Sequence, residues 1–166
     1  MGVVPSARRS GWIAPRLWAR IHANIPILCV DIAVMDGDSM LLLKRRKEPM
    51  KGEWMVPGGR IRKGEYIAMA AERIVLDETG LTIGYPRVIG MKQLMFGRSP
   101  FKHSRGTHTV SLIAVATRCG GKMQIDKNHS AYQLAHPRTV INGDDMHEYT
   151  KLIASKVSGD WALNEF

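Results

Sequence analysis

The stretch Gly58–Leu81, GGRIRKGEYIAMAAERIVLDETGL, constrains the fold more than any other part of this chain. It opens in a glycine turn and continues as a helix predicted at Tyr66–Thr79. It stops at Gly80, the residue type expected for a left-handed C-cap. At 100° per residue, Ile67, Ala68, Ala71, Ile74 and Val75 share one side, which should pack on a sheet. Glu65 stands at the helix mouth, where a negative charge suits the helix dipole. Arg73 and Asp77 form an i,i+4 pair on the opposite flank. Glu78 lies on the border of the apolar stripe, one turn beyond Ile74. A carboxylate there, facing a glycine turn, can hold a hard divalent cation and leave room for a phosphate.

These residues resemble the Nudix box, G-x5-E-x7-R-E-U-x-E-E-x-G-U, with U bulky and apolar. Gly59, Glu65, Arg73, Val75, Glu78, Gly80 and Leu81 match at the required spacing. Asp77 replaces one glutamate by a shorter carboxylate, and Ile74 stands where the glutamate after the arginine belongs. The resemblance implies the Nudix fold, an α/β/α sandwich with a mixed β-sheet. It extends along IPILCVDIAV, LLLKRR, GEWMVPGGR and RGTHTVSL, which are similar to the GDP-mannose mannosyl hydrolase branch. That branch also lacks a glutamate at the position of Ile74. It hydrolyses a nucleotide sugar at the anomeric carbon with GDP leaving, whereas other Nudix enzymes attack phosphorus.

The remaining chain agrees with a layered α/β domain. Ile25–Met35 is a β-prone run, Asp36-Gly37-Asp38 a hairpin turn, and Ser39–Lys44 a second strand. Trp54–Pro57 reads as a short strand, Thr82–Phe96 as one long or broken strand, and Thr107–Arg118 as another. Residues 97–106 form a basic loop, Cys119–Lys122 a turn, and Ala131–Ala135 an edge strand. Pro137–Gly143 reads as a connector and Asp144–Val157 as a closing helix capped by Gly159. Residues 1–23 are expected to be a basic segment, partly disordered or a short helix at Pro15–His22 with Ile13, Leu17 and Ile21 on one face. Its opening MGVVPS also fits a myristoylation pattern. Residues 24–166 form the Nudix domain. Cys29 and Cys119 lack metal-ligand spacing and read as buried free thiols, as in a cytoplasmic protein. No apolar run reaches transmembrane length. The net charge of +9 suits polyanions without choosing between nucleic acid and nucleotide phosphates.

Carried onto these positions, the resemblance implies a Mg2+ site, with Mn2+ as the alternative, formed by Glu78, the carbonyl of Gly59, Asp77 and the amide of Asn128. It implies His129 as the general base and Arg60 as the donor that stabilises the leaving diphosphate. Arg45 and Asp31 are implied substrate contacts. His129, Arg45 and Asp31 each have a plainer reading, respectively a solvated loop histidine, a charge run with Lys44, Arg46 and Lys47, and a buried structural acid paired with an arginine. Leu94 and Thr109 stand where some members carry a histidine and a tyrosine, for which His103 or His108 could substitute. The expected partner is a small-molecule nucleotide sugar. Neither membrane nor nucleic acid is expected, and a homodimer is left open. The alternatives are a pyrophosphohydrolase acting at phosphorus on a substrate such as ADP-ribose, and a non-catalytic nucleotide or RNA binder. No interleaving of basic and aromatic residues supports base stacking on a sheet.

Overall fold

The computed structural model describes residues 13–101 and 103–159. Arg8, Arg9 and the MGVVPS opening lie outside these residues. Helix α1 is Pro15–His22, begun by a proline whose fixed φ and missing N–H suit a first turn. Strands β1 (Ile27–Asp36) and β2 (Ser39–Arg45) form a hairpin, with Asp36 opposite Ser39. Short strands β3 (Trp54–Met55) and β4 (Gly58–Arg60) lead into α2 (Ile67–Thr79). Then follow β5 (Leu81–Ile83), β6 (Arg87–Phe96), β7 (Thr107–Gly121) and β8 (His129–Ala135), and finally α3 (Pro137–Asn142) and α4 (Glu148–Val157). The strands make one mixed sheet with central order β3-β2-β1-β7-β5. Among the described residues only β1 and β7 run parallel, from Ile27 opposite Thr109 to Met35 opposite Thr117.

β1 and β2 are apolar on both faces because helices cover both. Val30, Ile32, Val34, Leu41 and Leu43 pack with Ala70, Ala71, Ile74 and Val75 of α2. Ala33, Met40 and Leu42 pack with Val140, Tyr149, Ile153 and Ala154 of α3 and α4. This is the expected α/β/α sandwich. Gly80 has φ 69° and its N–H bonds the Leu76 carbonyl at 2.9 Å, so the left-handed cap is present. A Cβ there would lie 2.6 Å from the Lys122 carbonyl, a second reason for glycine.

Several elements differ from the sequence reading. The buried stripe of α2 is Ala70, Ala71, Ile74, Val75 and Thr79, and Ile67 is exposed. Thr79 belongs inside because its hydroxyl bonds the Val75 carbonyl and receives the Leu81 N–H. The turn expected at Cys119–Lys122 is strand to Gly121, because β5 supplies pairing partners. Cys119 is consequently exposed, while Cys29 is buried. The connector at 137–143 is a helix, with Pro137 at its start and the His136 imidazole capping the Arg138 N–H. α4 begins at Glu148 rather than Asp144, because His147 caps it through the Tyr149 N–H. Ser158 is its C-cap, and Gly159 follows at φ 74°. In α1 the docked face is Trp18 and His22; Leu17 is exposed.

Candidate active site

A fork in the sheet creates the site. β1 pairs β4 at Cys29–Asp31 but pairs β2 only at Met35–Asp36. Between the diverging partners opens a cleft of about 420 Å³. Asp31, Arg45, Gly59, Arg60, Glu78, Asn128 and His129 all line it. α2 delivers Glu78 to the glycine turn, where its Oε2 accepts the Gly58 N–H at 3.2 Å. The segment after β7 is stapled to the end of α2: the Gln124 and Asp126 N–H groups bond the Thr79 and Glu78 carbonyls at 2.8 and 3.0 Å. That staple brings Asn128 and His129 beside Glu78.

Asp126 organises this corner. Its carboxylate accepts the Asn128 amide N–H at 2.5 Å and lies 2.7 Å from His129 Nδ1. A carboxylate fixes Nδ1 as the protonated nitrogen and leaves Nε2 as an acceptor. His129 is buried rather than solvated, at 4% exposure, and its carbonyl accepts the Arg46 Nε–H at 2.8 Å. Burial pulls the imidazole below the ordinary histidine range, opposed by the bond to Asp126. Asp31 sits on the cleft floor, its Oδ2 receiving the Tyr149 hydroxyl at 2.6 Å. Burial raises its carboxyl, against hydrogen bonds from Tyr149 and Ser111 and the charge of Arg45. Gly58 is required beside it, because a Cβ would collide with Asp31 Oδ1.

The donors fit a hard cation. Burial pushes the Glu78 carboxyl up to about 8, opposed by the Gly58 N–H and helped by the Asp126 charge, so a cation beside it would favour the ionised form. Asn128 Oδ1 is buried without a hydrogen-bond partner. An oxygen-only set of one carboxylate and one amide suits Mg2+ or Mn2+ rather than a softer metal. Among the described residues no three His, Cys, Asp or Glu side chains are grouped to hold an ion alone. Water and substrate phosphates would complete the shell, as is common for magnesium.

The structure brings together every expected site residue except Asp77. Its side chain is 61% exposed, 3.9 Å from Arg73, and does not line the cleft. Glu65, expected to serve the helix dipole, instead grips Arg73 through both oxygens, at 2.6 and 2.9 Å. Arg73 in turn donates to the Arg60 carbonyl at 3.1 Å, which fixes the turn carrying Arg60. Arg45 is half-buried in the cleft wall, its Nε–H on the Pro49 carbonyl at 2.9 Å. Leu94 and Thr109 line the cleft, whereas His108 pairs with Gln93 and His103 with His22 and Ser99. Sequence reading missed Trp18, Asp126 and Tyr149. Asp126 had a signal, as an Asx residue two before Asn128 whose carboxylate receives that residue's backbone N–H.

Residues 26–154 match the Nudix domain family, and the chain belongs to that family of hydrolases. It is similar to the low-salt glycan biosynthesis protein Agl8 of Haloferax volcanii, 28% identical over 72% of this chain and 77% of that protein. It is also similar to an ADP-ribose pyrophosphatase of Methanocaldococcus jannaschii, 30% identical over 60% of this chain; the match spans 55% of that relative's length. Its fold is shared with a MutT Nudix hydrolase from Burkholderia pseudomallei, at TM-score 0.67 and 19% identity, covering 81% of this chain and 99% of that one. No helix among the described residues is long and apolar enough to cross a membrane.

Proposed function

We propose that the chain hydrolyses a nucleotide sugar of the GDP-mannose class, with water attacking the anomeric carbon and the nucleoside diphosphate leaving. One observation carries this reading. Ile74, at 3% exposure, is packed in the core, so α2 offers no base at the box position, while His129 stands in the cleft with Nδ1 on Asp126. In the proposed step, His129 Nε2 takes a proton from water as its oxygen bonds to the anomeric carbon. The carbon–oxygen bond to the diphosphate breaks, and its electron pair leaves with the phosphate oxygen. Arg60 and Arg45 receive that charge. Nudix hydrolases generally use a divalent metal such as Mg2+ or Mn2+, which supplies further neutralisation of the diphosphate when bound. Glu78, Asn128 and the Gly59 carbonyl would hold it. The glycan-biosynthesis name of the Haloferax relative supports a sugar substrate.

A second reading is attack at phosphorus, supported by the name of the Methanocaldococcus relative. Product analysis with Mg2+ separates the proposal from cleavage between the two phosphorus atoms. The proposal expects GDP and free mannose from GDP-mannose and little turnover of ADP-ribose. GMP with mannose 1-phosphate, or AMP from ADP-ribose as the dominant activity, contradicts it.

A further inference from the structure

Asp126 does not line the cleft, yet it is bonded to three residues that do. Its N–H bonds the Glu78 carbonyl at 3.0 Å, which fixes it to the last turn of α2. Its two carboxylate oxygens have different partners. Oδ1 accepts the Asn128 backbone N–H at 3.0 Å and lies 2.7 Å from His129 Nδ1. Oδ2 accepts the Asn128 side-chain N–H at 2.5 Å. An ionised carboxylate only accepts, so the Asn128 amide can meet it by its nitrogen end alone. The oxygen end is thereby turned to a buried position, where it has no hydrogen-bond partner. Turned over, the same amide would present N–H groups there, and a hard cation takes only oxygen.

We propose that Asp126 is the positioning residue of this corner: its Oδ2 turns the Asn128 amide so that the amide oxygen meets the cation, while its Oδ1 holds His129 beside it. The proposal rests on the reading of Glu78 and Asn128 as cation ligands. It gives the two carboxylate oxygens separate work, and Asp126→Asn separates them. The introduced amide keeps one oxygen and turns the other into a donor. Two donors, the Asn128 backbone N–H and His129 Nδ1–H, lie on the Oδ1 side, and one lies on the Oδ2 side. The remaining oxygen therefore belongs at Oδ1, and the new N–H group faces the Asn128 side chain. Opposed donors leave both unsatisfied, so the Asn128 amide turns over and accepts with its oxygen. Its nitrogen then points where the cation would sit, while His129 keeps its bond. The Asp126 charge also raises the Glu78 carboxyl through space. It would attract a cation in the same way whichever end Asn128 presents, and that rival effect needs no amide.

The test is titration of the full chain with Mn2+, read by the electron paramagnetic resonance of the free ion, with thermal melting to show each variant folded. Asp126→Asn should weaken Mn2+ binding roughly ten-fold or more, the range for losing a side chain that orients a metal ligand. In an Asn128→Ala background the same substitution should change Mn2+ affinity by less than about two-fold, because no amide is left to orient. An equal loss in both backgrounds would overturn the proposal, since the Asp126 charge would then act on the cation without Asn128. Unchanged Mn2+ affinity in Asp126→Asn overturns it too. Turnover at saturating Mn2+ reads the other oxygen. There Asp126→Asn should stay close to the parent, whereas Asp126→Ala should fall roughly ten-fold or more as His129 loses its support. Equal losses in the two variants contradict the division between the oxygens. Weaker Mn2+ binding that depends on Asn128, in a chain that cleaves no nucleotide sugar, supports the orienting role and removes only the proposed reaction.

Discussion

Asn128 has a buried oxygen without a partner, and Glu78, which lines the same cleft, is a carboxyl that burial raises. The Gly58 N–H satisfies one Glu78 oxygen, yet the carboxyl is still raised to about 8 by burial. Asn128 commits its amide N–H to Asp126 and leaves Oδ1 bare. Glu78→Gln tests what these oxygens are for. Glutamine keeps an acceptor for Gly58, so the melting temperature without metal should change little. Turnover with Mg2+ should fall by at least about 10². A variant as active as the parent, or one that loses activity only by unfolding, contradicts the assignment. Asp31 is read differently from its neighbours. Its bond to the Tyr149 hydroxyl makes it a link between β1 and α4, where the plainer expectation was an arginine partner. Arg45 still contributes to its charge balance from across the cleft.

The most exposed structural dependency lies between α1 and the 97–106 loop. His22 Nδ1 faces His103 Nε2, which also meets the Ser99 hydroxyl, and Phe101 and Trp18 pack around the pair. Burial, and then the His103 charge, hold His22 below the usual histidine range. A depressed folded value means that the neutral form is favoured in the fold. Its contribution is complete above about pH 6.5 and is lost as pH falls towards the folded value. Melting temperature should therefore drop between pH 7 and pH 5 more steeply in the parent than in His22→Phe. Parallel profiles would show that the pair carries no such linkage.

α1 also shows what a sequence can and cannot display. Its extent, Pro15–His22, follows from a proline start and local pattern. Its orientation does not, because Leu17 looks like the buried residue until Arg60 and Phe101 offer Trp18 and His22 a better contact. The same limit explains β7. Gly120 and Gly121 read as a turn when only neighbours along the chain are considered, and as strand once β5 pairs with them. α2 and its Gly80 cap were legible because their cause is local, a periodic stripe closed by a glycine. The staple that carries Asp126, Asn128 and His129 to the end of α2 was not, because it joins two segments far apart in sequence, although the bonds of Asp126 to Asn128 and His129 are themselves local.

At the scale of the molecule, a doubly covered mixed sheet supports a cleft where its strands part. The net charge of +9 suits a diphosphate substrate, and the cleft places Arg45 and Arg60 where such a group would lie. The central claim is the bond that breaks. GDP and mannose could also arise by attack on the sugar-linked phosphorus, so products alone do not identify it. Hydrolysis of GDP-mannose in ¹⁸O-labelled water with Mg2+, read by mass spectrometry, does. The account predicts label in mannose and none in GDP, with His129→Gln slower by about 10² to 10⁴. Label in GDP or another phosphate product would contradict it and leave His129 without its assigned proton.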